Sequence, residues 1–488
     1  MINTLRSAFL CLLALLLAAA VLPVSALPSM ETLGTAVEPS WTVPEGYNAH
    51  DYAKCVYFLE QTDANGVKNG EKLSENYDPN DPETWGSCWY EIDPLGDEYV
   101  ECFQWATVNG ELRINKIYAN YGDLIGAMDA ADCTALELLS CYVNGIIELD
   151  VSGCTALETL KCSRNSLTEL DVSSNTALEV LYCSYNALTK LDVSSNTALE
   201  VLNCGGNALT ALDVSQNSAL KYLFCSSNYL TELDVSSNIG LLALDCGYNS
   251  ITELDVTRNT ALAVLDCGSN SISELDVTRN TALAVLSCGH NGIFELDVSG
   301  NTALRDLYCE TNGLRELDVS NNAALIGLKC TGNMLTELDI SNSRNLPYDH
   351  IISDGMGHIG YYSDDDVAFY VYITAKPVNG ADFEGFYDEN GALVHEGVWH
   401  DWLNAYSYEL LDDSPTGTII ARFSGGALPG DIDGSGSVST ADAITTLRLA
   451  MQLLDGNGMN TDAADMDGNG SITLADAILI LRTAMGLA

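Results

Sequence analysis

Leu178-Glu-Val-Leu181-Tyr-Cys183-Ser-Tyr-Asn186-Ala-Leu188-Thr-Lys-Leu191-Asp192-Val193-Ser-Ser-Asn196-Thr-Ala198 is one unit of a pattern that returns every 21 residues, ten times between about Leu136 and Asn345. Its asparagine recurs without a miss at 144, 165, 186, 207, 228, 249, 270, 291, 312 and 333. A period of this length signals a solenoid, because one coil cannot bury its apolar side chains alone and must share a core with stacked neighbours. In the quoted unit Leu178, Leu181, Cys183, Leu188, Leu191 and Val193 are expected to point inward. Asn186 is expected to turn the chain and satisfy buried backbone groups, as one rung of an asparagine ladder. With strands about 4.8 Å apart, the coils predict a rod or gentle arc of roughly 50 Å.

The core pattern Leu-x-x-Leu-x-Cys-x-x-Asn-x-Leu resembles the leucine-rich repeat family, with cysteine where a leucine often sits. The resemblance implies a β-solenoid whose Leu-x-Cys strands line a concave face, and that face commonly carries recognition. Its exposed positions vary while the core does not; they include Lys161, Tyr182, Tyr185, Tyr222, Phe224, Tyr248, His290, Tyr308 and Lys329. Tyr182, Tyr185, Tyr222, Phe224, Tyr248 and Tyr308 form the candidate ligand-binding face. Aromatic rings give large contact area at little entropic cost and suit either a protein loop or a sugar ring. The plainer reading is that aromatics simply fit exposed strand positions. Asp245 and Asp266 in the same column favour a polar or basic partner.

Ten of the 16 cysteines, Cys141 to Cys330, recur once per coil. The strict spacing makes them small core hydrophobes that stay reduced. Cys133 and Cys154 occupy another column, where later coils carry Asn175 and Asn196; one coil apart, they are close enough for a disulfide. Cys55, Cys88 and Cys102 form an odd set in which one pair can bridge. A column of aspartates (Asp150, Asp171, Asp192 and their successors to Asp339) alternates with Leu and Val and so faces outward. Like charges stacked at strand spacing need compensation. Local hydrogen bonds from neighbouring Ser and Thr are one source, and a weak calcium ribbon is the other.

Near the C-terminus, Asp431-Ile-Asp433-Gly-Ser435-Gly-Ser437-Val-Ser439-Thr-Ala-Asp442 is repeated 34 residues later as Asp465-Met-Asp467-Gly-Asn469-Gly-Ser471-Ile-Thr473-Leu-Ala-Asp476. Oxygen donors stand at loop positions 1, 3, 5, 9 and 12, with glycine at position 6, which is the spacing of an EF-hand-type calcium loop. An apolar helix is expected after each loop, Ala443–Leu454 and Ala477–Leu487, and none before. Two such units, with Asp at the last position, resemble a dockerin, a calcium-folded module that plugs an extracellular protein into a cohesin on a scaffold. The resemblance implies two Ca2+ ions. One set of ligands would be Asp431, Asp433, Ser435, Ser437 (backbone), Ser439 and Asp442; the other would be Asp465, Asp467, Asn469, Ser471 (backbone), Thr473 and Asp476. Ser435 and Asn469 stand where the family often has Asp, which lowers the charge of each loop and weakens binding. The implied cohesin contacts are Thr440, Ala441, Leu447, Arg448 and Gln452 in the first copy. In the second they are Leu474, Ala475, Leu481, Arg482 and Gly486. The repeated Leu-Arg pair resembles dockerins that bind in two orientations. Met451 and Met485 are expected to pack between the helices.

The chain ends with these modules and begins with a secretory pattern: Arg6, an apolar run from Phe9 to Val21, and a small-residue cleavage site at Val24-Ser25-Ala26. The expected division is a signal peptide at 1–26, an N-terminal cap at 27–130, the solenoid at 131–346, a small β domain at 347–426 and the dockerin at 427–488. No later stretch approaches the ~20 apolar residues of a membrane span. No Leu-Pro-x-Thr-Gly wall-sorting motif is present, so attachment to a surface would need a protein partner. In the cap, Tyr47–Glu60 reads as an amphipathic helix with Asp51 as its N-cap, and Glu111–Tyr118 as a strand. This α/β arrangement resembles the N-terminal cap of many leucine-rich repeat proteins. Between solenoid and dockerin, Val367–Thr374 and Thr418–Phe423 read as strands. The stretch Pro377–Gly391 resembles an internalin-type B-repeat, a β-grasp-like module, with Phe386 where that family usually has Trp. Trp399, His400 and Trp402 are expected in its core.

A net charge of −48 over 488 residues, spread along the chain, argues against nucleic acid or anionic membrane as partners. There is no nucleophile motif, no His/Cys metal cluster and no singular acid pair of the kind an active site needs. His50 and Cys55 read as a helix-face pair. The expectation is a non-catalytic, secreted or cell-surface binding protein. Its repeat face would take a protein or glycan, and its dockerin would join a cohesin scaffold, either a cellulosome-like complex or a surface anchor. The alternatives are a dockerin-borne polysaccharide-degrading component and a purely architectural spacer.

Overall fold

The computed structural model describes residues 41–92, 96–340, 350–353, 357–363, 371–377, 381–388, 392–400, 405–410, 418–425, 430, 432, 438–451, 453, 464–466 and 471–485. The chain forms two compact units that part between Leu241 and Leu242. Each is described by itself.

The first unit opens with helix α1 (Ala49–Leu59), the short α2 (Asn69–Leu73) and the antiparallel pair β1 (Ser87–Ile92) and β2 (Gly96–Glu101). Asn48, with extended backbone angles, caps α1, and its side chain accepts from Asp51 N–H. Asp51 was the expected cap; instead it lies one turn in, fully buried. Its carboxylate accepts from Arg113 Nε (2.6 Å), Arg113 Nη2 (3.0 Å) and the Ile114 N–H (3.1 Å). An N-cap needs non-helical angles, which Asn48 supplies, and that leaves the acid free to tie the helix to the strand beside it. Tyr52, Trp85, Phe103 and Trp105 pack edge-on or tilted around one another to form the cap's core. Cys102 is disulfide-bonded, in keeping with one bridge in this region.

Strands β3 (Phe103–Val108) and β4 (Glu111–Tyr118) are antiparallel, and β4 spans the residues expected. β4 then pairs in parallel with β6 (Leu138–Ser140), the strand of the first coil. β5 (Ile125–Asp129) and β7 (Gly145–Asp150) form a parallel pair of their own. From β6 the ladder continues in parallel register through β8 (Thr159–Lys161), β9 (Val180–Tyr182), β10 (Val201–Asn203) and β11 (Tyr222–Phe224). In every coil the central leucine of the strand and the following cysteine are buried, as the period predicts. Asn186 shows how a rung works. Its Nδ2 donates to the carbonyls of Cys162 (3.0 Å) and Cys183 (3.1 Å), and its Oδ1 accepts from Leu167 N–H (3.0 Å). One amide thus satisfies groups of its own coil and of the coil before.

A second ladder runs through Asn175, Asn196 and Asn217, all fully buried. Asn196 Nδ2 donates to Val172 and Asn175 carbonyls. Cys133 and Cys154 precede this column as free thiols, so no disulfide joins them. Cys154 Sγ donates to Ala130 O (3.0 Å), the same 24-residue reach that Asn175 makes to Val151. The thiol fills the asparagine's donor role at the end of the column. Burial pushes the ladder thiols up, Cys162 to about 12, so they remain protonated.

The second unit carries the strands β12 (Ala243–Asp245), β13 (Val264–Asp266), β14 (Val285–Ser287), β15 (Asp306–Tyr308) and β16 (Gly327–Lys329), again parallel. After β17 (Glu337–Asp339) and β18 (His350–Ser353) comes β19 (Gly357–Ser363), which pairs antiparallel with β16. β20 (Val371–Pro377), β24 (Ala405–Leu410) and β23 (Val398–His400) extend this sheet. A second sheet runs β17, β18, β25 (Thr418–Gly425), β21 (Ala381–Asp388), β22 (Leu393–His395). The expected strands exist, with β20 ending three residues later than read and β25 two. Among the described residues of 350–425 no helix occurs. Phe386 is fully buried. Trp399, read as core, lies 44% exposed on β23, edge-on to Tyr406. Trp402 lies outside the described residues.

The C-terminal helices are α3 (Thr440–Ala450) and α4 (Leu474–Ala484). Each starts three residues before its expected position, because Ser439 and Thr473 are N-caps closing capping boxes with Asp442 and Asp476. Ile432, Ala443, Ala464, Met466, Leu479 and Ile480 form their shared core, joined by Met334 of coil ten. Among the described residues no helix is long and apolar enough to cross a membrane.

Candidate functional site

The six aromatic residues of the expected ligand face do not share one column. In the first unit, Lys161, Tyr182, Asn203 and Phe224 are lateral neighbours at the third strand position, while Tyr222 lies at the first, beside Val201. Lys161 Nζ sits 5.6 Å above the Tyr182 ring. In the second unit Tyr308 holds the third position next to Lys329, whose Nζ is 4.3 Å from its ring centre. Tyr185 and Tyr248 are not strand residues at all. Each follows its strand, directly before the ladder asparagine, with φ of 54°.

That position is left-handed in every coil: Val143, Arg164, Tyr185, Gly206, Ser227, Tyr248, Ser269, His290, Thr311 and Gly332. Sequence reading missed this column; its signal was the fixed place before each asparagine and the two glycines within it. A side chain held there costs about 1 kcal/mol or more, which glycine avoids. Tyr185 is 56% exposed and Tyr248 58%. Arg164 stacks over Tyr185 at 4.6 Å, and the Tyr185 ring fills the space a Cβ on Gly206 would need. Large exposed side chains at a strained backbone position point to recognition more than to folding.

The outward aspartates are compensated locally. Asp171, Asp192 and Asp213 each accept from the N–H two residues on, at 2.9 Å. Hydrogen bonds from Ser173, Ser194 and Ser215 hold these carboxyls below the usual carboxylate range. In the second unit Asp245 and Asp266, lateral neighbours, accept from Gly247 and Gly268 in the same way. Glu310 is a different case: burial raises its carboxyl pKa.

One three-residue group among the described residues has metal-ligand atoms within 4.8 Å of one another: His50, Asp51 and Cys133. It does not fit a cation. The Asp51 carboxylate already holds the Arg113 guanidinium, His50 Nε2 pairs with Ala131 O, and burial keeps the Cys133 thiol protonated. Cys55 is likewise buried and protonated.

The loop–helix pair presents the clearest built surface. Asp442 Oδ1 accepts from Ile432 N–H (3.0 Å), and Oδ2 from Ser439 N–H (2.9 Å) and Oγ (2.7 Å). Asp476 repeats this with Met466 (2.8 Å) and Thr473 (2.7 and 2.8 Å). The last acid of each loop is therefore tied to its second residue. The donors among the described residues are all oxygen, the kind a hard cation takes. Of the ligand positions, Ser439, Asp442, Asp465, Ser471, Thr473 and Asp476 are described; Asp431, Asp433, Ser435, Ser437, Asp467 and Asn469 lie outside the described residues.

Past each loop the helix carries a stripe of matching positions: Thr440, Ile444, Leu447 and Met451 on α3, and Leu474, Ile478, Leu481 and Met485 on α4. All are exposed except Leu447, which is half-buried. Met451 (59%) and Met485 (55%) point to solvent, not between the helices as expected. The core they were expected to fill is made instead by Ile432, Ala443, Ala464, Met466, Leu479 and Ile480. Ile444 and Ile478 were missed by the sequence reading and extend the stripe. Ala441 and Arg448 are exposed and Ala475 half-buried; Gln452 and Gly486 lie outside the described residues.

No protein-family model matches the chain, and no curated protein matches it. Among solved structures, the chain is similar to the functional domain of InlJ from Listeria monocytogenes, which includes a cysteine ladder. Identity is 26%, over 64% of this chain and 90% of that one, with a TM-score of 0.40. It is similar to an internalin, InlF, from the same organism at 22% identity, 49% and 76% coverage and a TM-score of 0.45. A leucine-rich repeat protein of Leptospira interrogans matches at 27% identity, 44% and 60% coverage and a TM-score of 0.42. Likeness at these scores carries no weight alone. The coils themselves define the architecture: parallel three-residue strands, a buried cysteine per turn and an asparagine rung per turn make a β-solenoid.

Proposed function

We propose that this chain is a non-catalytic binding protein, exported by the leader at 1–26. Its repeat takes a protein or glycan ligand, and its C-terminal pair docks it, in the presence of calcium, onto a cohesin-bearing scaffold. The observation that carries the docking half is the two-fold copy of one surface: buried Asp442 and Asp476, each accepting from an N–H ten residues before it and each followed by a matching exposed stripe. A folded domain leaves such stripes in water only when something else covers them. The recognition half rests on the exposed side chains kept at left-handed positions. Calorimetric titration of the full chain with calcium tests the metal half: two ions are expected, and Asp431→Ala with Asp465→Ala should abolish both. A chain that takes up no calcium would end the dockerin reading. With calcium established, capture of a cohesin-bearing protein that is lost in chelator is the expected sign of docking.

A further inference from the structure

The repeat keeps a consensus on the flank that follows its ladder asparagine. Three residues on stand Thr168, Thr189, Thr210, Thr231, Thr252 and Ser273 in coils two to seven, and Thr336 in coil ten. Coils one, eight and nine break it, with Ile147, Phe294 and Arg315, and in all three the residue directly after the asparagine is glycine, Gly145, Gly292 and Gly313. A Cβ on Gly313 would lie 2.6 Å from the Phe294 ring, so the glycine makes room for the aromatic side chain.

The structure sets the departures of coils eight and nine against α4. Phe294 packs on the cluster of Leu479, Ile480, Met466 and Met334. Arg315 Nη1 donates to Thr483 Oγ1 at 2.9 Å, and Arg482 pairs with Glu295. Arg315 and Arg482 lie near enough to repel, and Glu295 offsets that charge. A solvated flank would gain nothing from replacing threonine with phenylalanine; a covered one gains buried apolar area.

We infer that the flank of coils eight and nine is a docking surface built for the second loop–helix unit of the same chain. This makes the two near-identical copies unequal. Arg482 is held by the repeat, whereas its counterpart Arg448 is exposed, so a partner that reads this arginine meets it uncommitted on the first copy. The inference rests on the reading of this segment as a paired loop–helix module.

The test is hydrogen exchange by mass spectrometry on the full chain with calcium, comparing wild type with Phe294→Thr/Arg315→Thr. Because threonine is the coil's own consensus, the variant keeps the solenoid, and exchange in coils two to seven serves as the internal reference. Peptides covering 474–485 should exchange about tenfold faster in the variant, as expected for an element that loses its packing partner. Equal exchange in the two proteins overturns the inference, and so does a wild-type dimer by light scattering that exchanges α4 between copies. A third arm in chelator separates the readings. Loss of protection in wild-type α4 supports calcium folding. Retained protection there, still sensitive to the double substitution, leaves the docking standing and removes the calcium reading.

Discussion

The repeat and the C-terminal pair are both made by copying, at 21 and 34 residues, but they find hydrogen-bond partners in different places. In the repeat a rung reaches outside its own coil: Asn207 donates to Cys183 O and accepts from Leu188 N–H, both in the coil before. In the pair, Asp476 accepts from Met466 and Thr473 of its own loop. The solenoid's stability is therefore a property of neighbours and accumulates with each coil. The pair ties its loop ends with bonds of its own but is short of core, so it depends on what fills its loops and what covers its helices.

The sharpest way to break this comparison is calcium removal. In chelator the helices at 440–450 and 474–484 should unfold completely while the solenoid keeps its own melting transition, read by circular dichroism as loss of helical signal before strand signal. One shared transition would mean the two regions are a single cooperative unit. Next in size is Asn207→Ala, which strips two donated bonds and one accepted bond from buried backbone. It should cost about 3 kcal/mol in urea denaturation, whereas a cost below about 1 kcal/mol would show that water replaces the rung. Tyr185→Gly should act in the other direction. Relief of the left-handed strain, less glycine's extra chain entropy, should stabilise the fold by about 0.5 kcal/mol while weakening ligand capture. A destabilised variant would place Tyr185 among the folding residues. The smallest effect is acid. Serine hydrogen bonds lower the folded pKa of Asp171, Asp192 and Asp213, so these groups stabilise the native state above their unfolded pKa. That contribution is lost as the pH falls through the lower folded value, so melting should soften below about pH 4. Ser173→Ala should raise the Asp171 carboxyl pKa, as followed by NMR titration.

How much of this was legible follows from how often each feature is repeated. A buried leucine or cysteine that recurs ten times at one spacing leaves little choice of period, and Leu181, Cys183 and Val193 all point inward as read. Asp51 was misplaced because capping depends on backbone angles, and two polar residues three apart compete for the same post. The left-handed column was missed because seven residue types fill its ten positions; the constraint acts on the backbone, and only Gly206 and Gly332 betray it. Met451 and Met485 were read inward on hydrophobicity alone, but the core of the pair is already filled by Ile432, Met466, Leu479 and Ile480. Phe294 and Arg315 were in plain view as breaks in a consensus. Their meaning appears only once α4 lies beside them.

The asparagine rungs have a consequence for descent. Outside its own coil, each asks for a carbonyl and an N–H at fixed offsets in whichever coil comes before, and the interior coils offer the same ones. An in-frame duplication or loss of one unit among coils three to seven would leave no rung unanswered. Such changes arise readily in repetitive genes, and here they would pass through folding almost unseen by selection. The reading surface can thus lengthen or shorten between lineages like a ruler cut to order. Coils eight and nine cannot be shuffled in this way, because what they hold is not another coil.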